Sequence, residues 1–164
     1  MSDLKSLFKS FVYAFKGIGW MIGHERNFRI HISCLCYMFY YLLRYDFFVI
    51  DRTQLAILLL ASGLVIGGEL LNTGVEKADD AVSKEKKDSI RISKDAGAGA
   101  VLVFAIFAVL CGVAIMFQPE AFKQLFNHYV NEPVYILYFV LSIIMCTLFI
   151  FKFDFNKKDK GNDR

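Results

Sequence analysis

Four carboxylates and an amide recur along one stretch of this chain, Glu69-Leu-Leu-Asn72-Thr73-Gly-Val-Glu76-Lys-Ala-Asp79-Asp80. At 100° per residue a helix gathers Glu69, Asn72, Glu76 and Asp80 into an arc of about 80°, with Thr73 at its border. Leu55 to Gly68, immediately before Glu69, is 14 residues without a charge. Carboxylates beside hydrocarbon are costly, and a functional role is their default reading. Salt bridging to the basic residues that follow is the plain alternative for Glu76 and Asp80. That alternative is weaker for Glu69, which follows only uncharged residues.

Two further clusters flank apolar runs. His24-Glu25-Arg26-Asn27-Phe28-Arg29-Ile30-His31 precedes the first, and Lys94-Asp95 precedes Ala96-Gly97-Ala98-Gly99-Ala100 at the start of the third. Small residues commonly serve close helix packing in membranes. Here they are also expected to leave a helix N-terminus open, with free N–H groups and a positive dipole end beside a lysine, which favours phosphate. Acids able to hold a divalent cation, a lysine and a dipole end at one interface suggest phosphoryl transfer. Mg²⁺ in such a site is held by a few carboxylates together with substrate phosphates.

The elements that must position these groups follow from composition. At 56% apolar and 16% aromatic, 164 residues carry more apolar surface than a soluble domain of this size can bury. The net charge of +3 is mild, and the basic residues form no groove-like patch with interleaved stackers, which excludes nucleic acid as a partner. Cys34, Cys36, Cys111 and Cys146 lie in apolar runs without a CxxC pair and read as small hydrophobes. Lys9 and Lys16 interrupt any signal-peptide core, so targeting is expected to reside in the spans.

Leu4, Leu7, Phe8, Phe11, Phe15, Ile18 and Ile22 form one helical stripe, with Lys5, Lys9 and Lys16 on the other side. Residues 2–22 are therefore expected to lie on the membrane surface as an amphipathic helix. Four apolar runs follow, at about residues 30–50, 53–72, 96–118 and 133–151, each near the roughly 20 residues a bilayer core requires. Each is expected to be helical, because backbone in lipid must satisfy its own hydrogen bonds. Of the Lys and Arg residues, 16 fall in residues 1–29, 73–95 and the tail after Phe151, whereas Arg44, Arg52 and Lys123 fall in the other two connections. The positive-inside rule then places both termini and the 73–95 connection in the cytoplasm.

The residues carry a resemblance beyond spacing. Glu69-Leu-Leu-Asn72-Thr73-Gly-Val-Glu76, then Asp80, then Lys94-Asp95-Ala-Gly-Ala-Gly-Ala-Val-Leu-Val closely resemble the bacterial diacylglycerol kinase/undecaprenol kinase family. Tyr13-Ala-Phe-Lys-Gly17 and Glu25-Arg-Asn-Phe-Arg-Ile-His31 match it as well, and the resemblance covers residues 5–118 in order. It implies a small membrane homotrimer of the bacterial inner membrane, with active sites between subunits at the cytoplasmic interface. It further implies that Glu69 is the general base toward a lipid hydroxyl and that Glu25 and Glu76 hold the Mg²⁺ of MgATP. Asn72, Asp80, Lys94 and Asp95 would order nucleotide and carboxylates, with Tyr13 touching the nucleotide. The chain departs from the family at Gly74 and Ser93, where alanine is usual, in its lysine-rich 83–93 segment, and in everything beyond Gln118.

The expectation is an all-α membrane protein: an amphipathic surface helix, then four transmembrane helices, with a kinase core over 1–118 and an extension over 119–164. Its function would be ATP- and Mg²⁺-dependent phosphorylation of a lipid alcohol, undecaprenol ahead of diacylglycerol on the wording of Asn27–His31 and Asn72-Thr73. Transfer would be direct, since no Ser or Cys sits beside a base. A small ion or solute carrier with a Glu69/Glu76 relay would call for acids in more than one span, and the third and fourth have none. A non-enzymatic scaffold on the surface helix leaves the acidic stripe without a reason.

Overall fold

An all-helical chain results from these patterns, seen in a computed structural model that describes residues 2–82 and 88–152, with side chains over 4–81 and 88–151. The 83–87 part of the lysine-rich segment and the charged tail 153–164 lie outside the described residues. Six helices account for those described: α1 Ser2–His24, α2 Arg26–Arg44, α3 Arg52–Val82, α4 Asp88–Met116, α5 Pro119–Asn131 and α6 Val134–Lys152.

Helices α3 and α4 form a long antiparallel hairpin, the main packing unit of the molecule. α3 has 31 residues and so runs about 46 Å, against a bilayer core of about 30 Å. The surplus carries its acidic C-terminal turns beyond the apolar stretch. α3, α4 and α6 are long and apolar enough to cross a membrane. The side chains α6 presents, including Leu137, Leu141, Ile144 and Met145, are exposed on the isolated chain. So are Leu102, Phe107 and Leu110 of α4. Apolar surface on this scale faces hydrocarbon or another chain.

Three boundaries differ from the sequence reading. α2 begins at Arg26 and stops at Arg44, where an expected span ran over 30–50. Tyr45 turns extended, with φ −123° and ψ 127°. The following turn is fastened by Gln118, which accepts from the Val49 N–H at 3.1 Å and donates to the Val49 carbonyl at 3.0 Å. Asp51 and Gln54 then cap the start of α3 reciprocally, at 3.0 and 2.8 Å. At 19 residues α2 is about 28 Å long, but Arg26, Arg29 and His31 leave it more polar than its neighbours.

The second difference is that α4 begins at Asp88, so Ala96–Ala100 lies inside the helix and not at its N-terminus. The expected dipole end at the Gly-Ala stretch is thereby corrected. The helix continues back through Asp88-Ser-Ile-Arg-Ile-Ser, which has nothing in it to break a helix, so the N–H groups of Ala96–Ala100 are not free ends. Gly97 instead serves packing: a Cβ there would run into the Asn72 amide oxygen. The third difference is α5, in a stretch read as a connection. Gln118 is its N-cap and Pro119 takes the first turn, where a missing N–H costs nothing.

At the far end from Glu69, a cavity of about 430 Å³ opens between α2, α5 and α6, walled mainly by Tyr37, Tyr41, Tyr129 and Tyr135. Tyr37 donates to Ser142 Oγ at 2.9 Å, and the Tyr41 and Tyr129 hydroxyls meet at 3.1 Å.

Candidate active site

The chemistry-bearing residues converge where the α1–α2 junction, the connected end of the α3–α4 hairpin and the Ile150 end of α6 come together. Glu25 occupies the junction itself as N-cap of α2, with φ −106° and ψ 111°. Its side chain makes no capping hydrogen bond, so the carboxylate is left available to the site. Burial pushes the Glu25 carboxyl above its ordinary value. The charges of Glu76 and Glu69 push in the same direction, while Lys77 and His24 oppose them. Three carboxylates from two different segments therefore share one region.

Glu69 is 5% exposed and faces α2, where its Oε1 lies 3.2 Å from His31 Nε2. A carboxylate only accepts, so in this pair the imidazole Nε2 is placed to present an N–H to it. One turn along α3, Asn72 Nδ2 donates to Glu76 Oε1 at 3.0 Å. The other amide atom, Asn72 Oδ1, is buried against Gly97 with no hydrogen-bond partner among the described residues. Glu76 is thus fixed from one side, and among the described residues its second oxygen makes no hydrogen bond. One turn further, Lys94 Nζ lies 2.5 Å from Asp80 Oδ1, closing the hairpin. Lys77 points away from the stripe, with its Nζ 5.2 Å from the Trp20 ring, and Trp20 stacks on His24.

Most of the expected site residues are brought together. Glu25, Glu69, Asn72 and Glu76 form the cluster, and Asp80 and Lys94 form an ion pair at its rim. Asp95 is exposed beside that pair and makes no hydrogen bond among the described residues. Tyr13 is not brought in. It lies exposed on α1, with Lys16 Nζ 6.0 Å from its ring. Sequence reasoning noted His31 but not its role as the partner of Glu69, and it gave no role to Lys77. Both sat inside the quoted motifs, and only helix packing tells which neighbour each faces.

Among the described residues no three His, Cys, Asp or Glu side chains stand close enough to hold a metal alone. Two like-charged carboxylates with a raised pKa at Glu25 do fit a cation that takes its remaining ligands from phosphate and water. The fold and site define a helical membrane protein with a carboxylate cluster at one end of its spans. The prokaryotic diacylglycerol kinase family matches residues 12–116, and the chain belongs to it. It is a membrane lipid kinase. It is 35% identical over 120 residues to an undecaprenol kinase of Bacillus subtilis (strain 168), covering 73% of this chain and 94% of that one. It is also 35% identical over 115 residues to a diacylglycerol kinase of Synechocystis sp., covering 70% of this chain and 64% of the relative. No solved structure matches it significantly. The carrier and scaffold readings are set aside by this membership.

Proposed function

We propose that the protein transfers the γ-phosphate of MgATP to the hydroxyl of undecaprenol. The observation that carries this reading is the buried Glu69–His31 pair beside the Glu25, Asn72 and Glu76 cluster. Glu69 is deepest along the acidic stripe, where a lipid headgroup reaches it from the bilayer and nucleotide approaches from the wet end. Its carboxylate takes the hydroxyl proton as the lipid oxygen bonds to the γ-phosphorus and the bond to the ADP oxygen breaks. Such transfer demands position and charge stabilisation more than covalent help. His31 holds Glu69 in one orientation and Asn72 does the same for Glu76. Bound Mg²⁺ would neutralise phosphate charge, and Glu25 and Glu76 are the residues to hold it. Asp80 and Lys94 order the rim, with Asp95 and, after movement of α1, Tyr13 toward the nucleotide.

The near-complete coverage of the undecaprenol kinase relative favours the polyprenol. The diacylglycerol kinase relative keeps diacylglycerol as the second reading. Residues 1–118 would be the catalytic core, assembled as a homotrimer in the bacterial inner membrane with both termini cytoplasmic. The outward apolar face of α4 and the sequence distribution of Lys and Arg, 16 in the segments expected inside against three outside, support that arrangement. The deciding experiment supplies purified protein and MgATP with undecaprenol or diacylglycerol and measures phosphorylated lipid. Phosphorylation of diacylglycerol alone would refute the polyprenol assignment.

A further inference from the structure

A helix ends with carbonyls that have no partner within it and with the negative end of its dipole. The C-terminal turn of α1 and the last described turn of α6 meet at one side chain here. Arg29 Nη1 donates to the Ile22 carbonyl, in the last turn of α1, at 3.1 Å. Its Nε and Nη2 donate to the Ile150 carbonyl, in the last turn of α6, at 3.2 and 3.0 Å. Arg29 is 3% exposed, and among the described residues no carboxylate pairs with it. Among the described residues its guanidinium is held by carbonyls of α1 and α6 and by no carboxylate. Only a planar fork with donors on several edges serves both at once, which a lysine cannot do.

Arg29 also sits within the site's own framework. Its backbone N–H donates to the Glu25 carbonyl at 3.2 Å, its carbonyl accepts from Ser33 Oγ at 2.8 Å, and neighbouring Phe28 is 1% exposed. Glu25 is one turn before it and His31 two residues after. We infer that Arg29 is a positioning residue that ties α6 into the catalytic end, so that the helix beyond the family's matched region holds Glu25 and His31 in place against α3. The inference rests on the site reading above. It gives α6 a role that its apolar, largely outward surface does not suggest. Along its length α6 meets α2 through Ser142 and Tyr37, so the two helices are fastened at both the site end and the cavity end.

The test uses the full-length protein in mixed lipid–detergent micelles, with Arg29→Gln and Arg29→Lys. Turnover, its pH profile and hydrogen exchange of the Leu148–Lys152 turn are measured together. Arg29→Gln is expected to lower kcat by about 10- to 100-fold, the scale of a small misplacement of reacting groups. It should also move the acid limb of the pH profile and speed exchange in the last turn of α6. Arg29→Lys should recover part of all three. Wild-type kcat and pH profile in Arg29→Gln would overturn the inference, as would unchanged exchange at the α6 end. Should Arg29→Gln fail to fold, Arg29→Lys decides by the same readouts, and wild-type behaviour in it is the overturning result. Glu69→Gln in the same assay separates the two readings. Full turnover there removes the site assignment, whereas an inactive Glu69→Gln beside normal Arg29 variants removes only this inference.

Discussion

His31 Nε2 lies 3.2 Å from Glu69 Oε1, joining the second helix to the third through a pair that is almost closed to solvent at its carboxylate. The pair links the two halves of the site, because Glu25 caps the helix that carries His31 and Glu76 lies two turns beyond Glu69 on α3. A general base needs a defined orientation before its basicity matters, and the imidazole N–H supplies it. Glu69→Gln keeps the shape and removes the proton acceptor. Turnover is expected to fall by about 10²- to 10⁴-fold with MgATP affinity largely kept. His31→Ala should cost less, since Glu69 retains its charge. Steady-state kinetics with nucleotide-binding titrations check both, and near-normal turnover in Glu69→Gln would remove it from the mechanism.

Glu25 and Glu76 reach one region from different segments. If they share a cation, Glu25→Ala and Glu76→Ala each weaken MgATP binding, and the double variant loses little more than the worse single. A double-mutant cycle on binding free energies measures this. Losses that simply add would show the two carboxylates acting independently.

Burial, reinforced by Glu76 and Glu69, holds the Glu25 carboxyl above its ordinary value of 4.5. The sign follows directly. A raised acid is protonated at a higher pH than a free one, so MgATP affinity should begin to fall on acidification earlier than an ordinary glutamate would require. The same shift makes ionised Glu25 a cost to the fold that is absent below pH 4.5 and grows as pH rises through the raised value. Glu25→Gln is therefore expected to bind MgATP poorly, with affinity less dependent on pH, and to unfold no earlier than wild type at neutral pH. A lower unfolding temperature in Glu25→Gln, read by thermal denaturation at pH 7.5, would contradict the burial cost.

Gly97 and Gly99 are two residues apart on nearly opposite faces of α4 and should behave oppositely. A Cβ at Gly97 meets the Asn72 amide oxygen, whereas one at Gly99 meets nothing within 4 Å. Gly97→Ala should displace Asn72 from Glu76 and cost about 1–3 kcal/mol, the usual scale of overpacking, with lower turnover. Gly99→Ala should be tolerated or gain up to about 1 kcal/mol from helix propensity. Equal behaviour of the two, in unfolding and activity assays, would refute the packing role of Gly97.

The last turn of α6 reaches Arg29 at the site end, and the α4–α5 turn meets Val49 at the other. A reporter fused after Arg164 is expected to read as cytoplasmic, and one inserted at Asn131 as external. An external C-terminal reporter would mean that Val134–Lys152 does not cross the bilayer.

Much of this protein is determined by its sequence alone. Helical structure and membrane residence follow from the length of uncharged runs, since hydrocarbon demands internally bonded backbone over about 20 residues. The acidic stripe follows from 100° per residue, a purely local rule, and Glu69, Asn72, Glu76 and Asp80 do lie along α3 as that rule requires. Tertiary structure decided the rest. The stop of α2 at Arg44 depends on a turn fastened by Gln118, and Ala96–Ala100 lies within a helix because α4 continues back to Asp88. That His31 faces Glu69, that Gly97 makes room for Asn72 and that Arg29 gathers the ends of α1 and α6 are contacts between distant segments. No periodicity along one helix specifies them, because the partner of a buried polar group is set by which helices pack together and in what register.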